Sequence, residues 1–232
     1  MKRSGSGGRS IVCGSGVAAA AVLLAACGGV KIAPTVTLPR ALIERIPVKV
    51  AVVVPVEQRE FTHAETRSGV SWEIALGGGH LKMVQDLFGA EFDQAVVVKT
   101  LEEAKLVPDI RAIFEPRIEQ YSFATARDTG SNYYAATILY RIHLYNPAGE
   151  RVDSFSLTGY GTSLTSGLKS QDPLSMATRA AMRDAAAKFM VQFPQQRVAQ
   201  QLSKREPLLA VTAGGAGAAS AFELIEAVPI RE

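Results

Sequence analysis

The first half of the chain predicts two buried strands around one helix. Residues 48–56 are apolar on both faces of an extended chain, which is typical of an interior strand. Residues 57–68 are polar and lack a period, so we expect them to be irregular. After the glycines at 77–79, which would form a flexible hinge, apolar residues spaced by three and four predict a helix. These residues are Leu81, Val84, Leu87, Phe88 and Phe92. Residues 96–98 predict a second, short buried strand, and residues 101–105 predict a helical turn.

The second half of the chain predicts a long hairpin. Residues 110–126 are extended and contain Pro116, which indicates either an edge strand or a strand bent at the proline. Apolar and polar residues then alternate over 134–144, which predicts a half-buried strand with one solvated face. Residues 152–162 are expected to return beside it and to complete the hairpin.

A second helix completes the predicted domain. Asp172 is a good N-cap before Pro173, and the alanine-rich helix that follows should end before Pro194. Together the elements indicate an α+β fold with a mostly antiparallel sheet and two main helices packed on one face. Residues 48–207 would form this single domain. Residues 208–232, rich in alanine and glycine, would form a flexible low-complexity tail.

The amino terminus has the order of a secretory signal. Three basic residues within the first nine positions precede an apolar run of 16 residues, 11–26. A bilayer core needs about 20 apolar residues, so this segment indicates a signal peptide that is removed. Leu24, Ala25 and Ala26 stand directly before Cys27. This ending resembles the lipobox of bacterial lipoprotein signal peptides.

The lipobox resemblance implies a lipid-anchored protein. Residues 1–26 would be removed, Cys27 would carry diacylglycerol on its sulfur, and residues 27–47, with three prolines, would form a tether. A plain secretory signal with an incidental cysteine and an uncleaved anchor are the alternatives. Gly28 stands where an aspartate would indicate retention at the inner membrane of enteric bacteria, so the resemblance implies the outer membrane and a domain that faces the periplasm.

Charge and cysteine content change with this processing. Removing 26 of the 232 residues leaves 206, and it removes three basic residues and no acid, so the formal net charge falls from +3 to 0. A neutral chain does not indicate nucleic-acid binding. Because Cys13 would leave with the signal and Cys27 would be acylated, no thiol would remain for a disulfide or a thiolate metal site.

The candidate chemical groups do not indicate an enzyme. His63, His80 and His143 lack metal-ligand spacing, and His143 is interpreted as an exposed strand residue. His80 follows three glycines, but neither a GxxxxGKS/T nor a GxGxxG phosphate motif is present, and no GxSxG motif marks a serine nucleophile. The acidic pairs are expected to be solvated. They are Glu102 with Glu103 and Glu115 with Glu119. The sequence therefore predicts no catalytic residue, cofactor or metal.

Aromatic residues cluster in the strand-rich half and leave two interpretations open. They could form a tyrosine-bearing face for a partner, or they could be cross-strand pairs within the core. They are Tyr121, Phe123, Tyr133, Tyr134, Tyr140, Tyr145, Phe155 and Tyr160.

The overall pattern resembles the small α+β lipoproteins of Gram-negative bacteria. The resemblance rests on the lipobox at 24–27, the valine-rich strand at 50–54, the helix that ends in Phe92 and the alanine-rich segment at 180–185. YajG-type lipoproteins and the related domains of curli-type and Tol-type periplasmic proteins are similar over residues 48–193. The resemblance implies an architecture and a location, and it transfers no catalytic residue.

The sequence therefore predicts a non-enzymatic outer-membrane lipoprotein held by acylated Cys27. It would act as an accessory or assembly factor for an envelope complex and would meet a protein partner through its sheet edge or its tyrosine-bearing face. The alternative is a carrier that binds a small apolar or lipid ligand between sheet and helices. An enzyme is the third hypothesis.

Overall fold

The computed structural model describes residues 29–39, 44–165 and 172–210, which form two sheets and the helices around them. The eight strands among these residues are β1 (Val30–Ile32), β2 (Ile46–Val53), β3 (Thr62–Arg67), β4 (Val70–Ala75), β5 (Phe92–Val98), β6 (Ile110–Ala124), β7 (Tyr133–Tyr145) and β8 (Arg151–Leu164). The smaller sheet has the order β1-β4-β3, and the larger sheet has the order β5-β2-β6-β7-β8.

Six α-helices connect and cover these strands in the described residues. They are α1 (Val56–Arg59), α2 (Gly77–Glu91), α3 (Leu101–Lys105), α4 (Ala126–Thr129), α5 (Pro173–Gln192) and α6 (Arg197–Ser203). A 3₁₀ turn, Phe193–Gln195, joins α5 to α6.

The α+β class is confirmed, with two main helices on one face of the larger sheet, but the sheets are mixed rather than purely antiparallel. Phe88 of α2 lies 5.3 Å from Phe189 of α5, ring centre to ring centre, within the core on that face. β2 runs parallel to both of its neighbours, β5 and β6, whereas β6, β7 and β8 are antiparallel. Parallel neighbours need a long crossover, and residues 54–91, which include α2, provide one between β2 and β5.

β2 is the interior strand that the sequence predicts. Val50 and Val52 face the main core under α2 and α5, whereas Ala51 and Val53 face a smaller apolar cluster under α3. The strand ends at Val53 rather than at residue 56, because Pro55 is the N-cap of α1.

β6 is an interior strand over residues 110–114, where it lies between β2 and β7, so the edge-strand interpretation does not hold for the whole of residues 110–126. It does hold at Pro116, because beyond residue 114 no described strand pairs with β6 on the β2 side, and the missing N–H of proline is tolerated there. Beyond residue 114 the side chain of Gln58 replaces a neighbouring strand as hydrogen-bond acceptor, because its Oε1 accepts from the Ile118 N–H at 2.8 Å. The register of β6 against β7 shifts between Ile118 and Gln120.

The segment 57–68 is ordered, contrary to the expectation of an irregular stretch. It contains most of α1 and all of β3. On β3, Glu65 accepts hydrogen bonds from Arg67 at 2.7 Å and pairs with His63 at 3.1 Å. The strand was missed because both of its faces are polar and no apolar period marks it.

Part of the predicted tether belongs to the folded domain. Val30 lies opposite Trp72 where β1 pairs in parallel with β4, and Ile32 and Val36 are buried. Of the predicted tail at 208–232, the structure describes only residues 208–210, and Leu208 is buried against the core.

The glycines at 77–79 form the first turn of α2 instead of a flexible hinge. A Cβ on Gly77 would lie 2.1 Å from the Arg59 carbonyl oxygen, and one on Gly79 would lie 2.2 Å from the Pro34 carbonyl oxygen. The glycines therefore allow two backbone segments to contact the start of the helix. Phe92, predicted as the end of this helix, begins β5.

The long hairpin and the alanine-rich helix are confirmed. β7 and β8 pair along their length, and α5 begins at Pro173 with the Asp172 carboxylate accepting from the Leu174 N–H at 2.8 Å. A Cβ on Gly159 or Gly161 would lie 2.1 Å from a carbonyl oxygen of α5. The helix backbone therefore rests directly on β8.

Candidate functional site

The predicted lipid-attachment residue, Cys27, lies outside the described residues, as do Cys13 and the predicted signal peptide. Gly29, where the described chain begins, lies against the smaller sheet, because a Cβ on Gly29 would lie 3.2 Å from the Ser71 carbonyl oxygen. Among the described segments, no helix is long and apolar enough to cross a bilayer.

The three histidines lie on different elements, and each contacts other groups. His63 on β3 pairs with Glu65, and this hydrogen bond and the one from Arg67 hold the pKa of the Glu65 carboxyl below its usual value. His143 on β7 is half-buried rather than exposed, with Nδ1 3.0 Å from a guanidinium nitrogen of Arg151. Burial, followed by the charge of Arg151, lowers the pKa of His143.

His80 is buried within α2 and has a structural role. Its Nε2 lies 3.2 Å from the Pro116 carbonyl oxygen, and its ring stacks at 5.6 Å on the ring of Tyr140. Burial lowers the pKa of His80 to about 4, so the imidazole is neutral at pH 7. Within the described ranges, no group of three or more His, Cys, Asp or Glu residues is placed to hold a metal ion.

The predicted acidic pairs contact basic or polar neighbours rather than a reaction site. Glu102 pairs with Lys105 at 2.7 Å, and Glu103 accepts a hydrogen bond from the Lys99 N–H at 2.8 Å. Glu115 accepts hydrogen bonds from the Arg117 guanidinium and the Tyr145 hydroxyl, and Glu119 pairs with Arg141.

A buried carboxyl group that the sequence analysis missed lies at the end of α2. Glu91 is fully buried, and neither of its carboxyl oxygens has a hydrogen-bond partner in the described part of the chain. Burial raises its pKa to about 7. Glu91 follows Val84 by seven residues and Phe88 by three, so it lies on the same apolar face of the helix. This position could have been predicted from the sequence.

Half of the aromatic cluster is core, whereas Tyr133 and Tyr160 are exposed and Tyr134 and Tyr145 are half-buried. Tyr121 and Tyr140 are buried, and burial raises the pKa of both hydroxyls. The Tyr121 hydroxyl lies 2.7 Å from the hydroxyl oxygen of Thr178 on α5, and Phe123 and Phe155 are also buried. The structure therefore favours cross-strand and core packing over one tyrosine-bearing face.

The β5 edge of the larger sheet is open. Val98 accepts a hydrogen bond from the Val54 N–H on the β2 side, so the backbone groups of Asp93, Ala95 and Val97 point outward by alternation. In the described residues, none of these outward groups has a hydrogen-bond partner. Unpaired strand edges of this kind are templates for an added strand.

The opposite edge, on β8, is partly covered by α5. Asp184 accepts a hydrogen bond from the Tyr160 N–H at 2.9 Å, and Lys188 donates to the Thr158 carbonyl oxygen at 2.8 Å. These two side chains also form an ion pair at 2.8 Å. They satisfy outward backbone groups that an added strand would need.

Among the described residues, the space between the larger sheet and α2 and α5 contains one small cavity. The cavity there has a volume of about 10 Å³, with Met83, Phe88, Tyr140, Leu157 and Phe189 among its lining residues. This is roughly the room that one water molecule requires. The geometry therefore does not favour a carrier with a ligand between sheet and helices.

A wider depression of about 190 Å³ lies where the smaller sheet meets the end of the hairpin. Its lining residues are Arg67, Ser68, Val70, Trp72, Thr125, Arg127 and Tyr134. Arg67 is held by Glu65 and by Asp128 at 3.4 Å, and its guanidinium lies 4.8 Å from the ring centre of Phe123. Arg127 is exposed and has no ion-pair partner among the described residues.

No protein-family model matches this sequence, and no curated protein matches it. Similar solved structures include the hypothetical protein CT253 from Chlamydia trachomatis, with 10% identity and a TM-score of 0.41, covering 63% of this chain and 95% of that chain. The minor lipoprotein from Acinetobacter baumannii has 10% identity and a TM-score of 0.35, covering 72% of this chain and 98% of that chain. Lipoprotein GNA1162 from Neisseria meningitidis has 12% identity and a TM-score of 0.30, and the match covers 53% of this chain and 88% of that chain. Two of these three are lipoproteins, but similarity at this level does not assign a role to this chain.

Proposed function

We propose that this protein is a non-enzymatic, lipid-anchored protein of the bacterial envelope. It is held in the outer membrane by acylated Cys27, faces the periplasm and serves as an accessory or assembly factor for an envelope complex. Its contact with a protein partner is made by adding a partner strand to the open edge at β5.

The observation that carries the proposed role is the difference between the two edges of the larger sheet. On β8, Asp184 and Lys188 satisfy outward backbone groups, whereas the outward groups of β5 have no partner in the described residues. Half-buried Val96 and Val98 add apolar side chains beside the β5 edge. Backbone hydrogen bonds and alternate side-chain contacts are the means by which sheet edges bind extended peptides.

The lipobox supports the location, and the well-filled core supports a non-carrier role. The residues 24–27 resemble a lipobox, and the cavity between sheet and helices has room for about one water molecule.

A photo-crosslinking experiment in intact cells tests the partner. A photoreactive residue at Gln94, which is exposed on β5, should yield one discrete adduct, whereas the same residue at exposed Ala187 on α5 should not. Ala95→Pro should abolish the adduct, because it removes an outward N–H without removing a hydrogen bond to β2. Ala95→Ser keeps the N–H and is the matched control.

Equal adducts from Gln94 and Ala187, or an adduct that survives Ala95→Pro, would contradict the edge contact. Labelling with radioactive palmitate tests the anchor separately. Wild type should incorporate label and Cys27→Ala should not, and unlabelled wild type would contradict the lipid anchor.

A further inference from the structure

We infer that the end of the domain beside Gly29 is a membrane-contacting surface that lies on the bilayer to which the protein is anchored. We call this surface the end patch. It consists of Val70, Arg127, Tyr133, Tyr134 and Leu164. The inference rests on the proposed function, because it requires Cys27 to carry the lipid.

The path of the chain places the end patch near the anchor. Gly29 lies beside Ser71, and Val30 lies opposite Trp72. Val70 and Tyr134 line the same depression as Trp72, so the chain leads toward Cys27 from beside the patch. At most about 11 Å of chain separates Cys27 from Val30, so an acylated Cys27 would keep the surface beside Val30 close to the lipid.

The exposed side chains of the end patch suit a bilayer interface. Tyr133 and Leu164 are register partners on the last pair of β7 and β8, and they are 38% and 58% exposed. Tyrosine is frequent at membrane interfaces because its side chain has an apolar body and a polar tip. For leucine, transfer of the side chain from water to the bilayer is favourable. Arg127, exposed and without an ion-pair partner in the described residues, supplies a positive charge for lipid phosphate.

One exposed apolar residue, Leu106, lies far from the end patch and is 83% exposed. It follows α3, whose Lys105 lies close to Gly149 in the loop between β7 and β8. That loop is at the opposite end of the hairpin from Tyr133, about 40 Å away along β7. Leu106 is therefore a control position for the end patch.

A fluorescent probe on single cysteines tests the membrane contact in the full, processed protein. Leu164→Cys and Leu106→Cys variants are labelled with a thiol-reactive, polarity-sensitive dye and reconstituted into phosphatidylethanolamine/phosphatidylglycerol vesicles. Emission at position 164 should shift to shorter wavelength and be quenched by nitroxide-labelled lipid. Emission at position 106 should remain that of the dye in water. Adding Tyr133→Asp to Leu164→Cys should remove most of the shift and the quenching.

The results distinguish a failure of the lipid anchor from a failure of the membrane contact at the end patch. Wild type should take up no dye, because Cys13 is removed and the Cys27 sulfur is alkylated by lipid, and dye uptake by wild type would contradict the anchor and with it the end patch. If wild type is unlabelled but position 164 emits as position 106 does, the anchor stands and the end patch is wrong. A shifted emission at 164 without nitroxide quenching would indicate a protein contact and would also overturn the inference.

Discussion

Glu91 should make the folded domain less stable as the pH rises from about 4.5 to 7. Its carboxyl is fully buried without a hydrogen-bond partner in the described residues, and burial raises its pKa from 4.5 to about 7. Between these two values the folded chain binds more protons than the unfolded chain, so the free energy of unfolding decreases as the pH rises. Above pH 7 this group contributes no further change.

The pKa difference sets the size of the effect. A shift from 4.5 to about 7 corresponds to about 3 kcal/mol of unfavourable free energy for ionising Glu91 in the folded state. Glu91 is the last residue of α2 and lies two residues before exposed Asp93, so nearby water screens part of this cost, which reduces the expected effect to about 2 kcal/mol. Glu91→Gln removes the ionisation, so it should stabilise the domain by about 2 kcal/mol at pH 8 and by close to nothing at pH 4.

Urea denaturation at pH values from 4 to 8 measures this difference. The Cys27→Ala chain serves as the background, because it carries no lipid, and the exposed Glu206→Gln is the control. The difference in free energy of unfolding between Glu91→Gln and its parent should grow between pH 4.5 and 7, whereas Glu206→Gln should follow the parent. Parallel profiles of Glu91→Gln and its parent across the whole range would refute the buried carboxyl.

The remaining predictions concern packing and buried polar groups, and each is measured by urea denaturation. Gly161→Ala should destabilise the domain by about 1–3 kcal/mol, because its Cβ would lie 2.1 Å from a carbonyl oxygen of α5. Gly78→Ala, which meets nothing within 4 Å in α2, should instead stabilise by about 0.5–1 kcal/mol, and equal effects would contradict the close approach at Gly161. Burial of neutral His80 costs the parent about 3 kcal/mol as the pH falls from 6.5 to 4, since the folded pKa is about 4, and this opposes the contribution of Glu91 over the same range; His80→Gln should therefore become more stable relative to its parent by about 3 kcal/mol, and a difference that does not change with pH would contradict this. Gln58→Ala should cost about 1–3 kcal/mol, because it leaves the buried Ile118 N–H without an acceptor, and a neutral effect would show that the hydrogen bond is dispensable.

Elements with a strong local signal could be predicted from the sequence. The alternation in β7 and β8, the N-cap at Asp172 and the two apolar faces of β2 each reflect contacts within a few residues or a simple period. The elements that were missed depend on distant partners. β1 is a strand because β4 is beside it, and β3, which has polar residues on both faces, is a strand because it pairs with β4 on the other side.

The candidate site was predictable only in part, for the same reason. The resemblance of residues 24–27 to a lipobox depends on adjacent residues alone, whereas the open edge at β5 exists because β2 pairs with both β5 and β6 in parallel. The sequence of residues 92–98 does not indicate which strand pairs with them. Glu91 was the exception, because its position on the apolar face of α2 could have been read from its spacing to Phe88.

Asp184 and Lys188 bond outward backbone groups of β8, which limits how many copies of the chain can associate through their sheet edges. A sheet that accepts strands on both sides can grow without end into a fibre, whereas one that is blocked on one side accepts a guest and then stops. Many copies of this protein can therefore lie side by side without polymerising through their sheets. Removing both side chains would leave two backbone groups on the β8 edge without these partners.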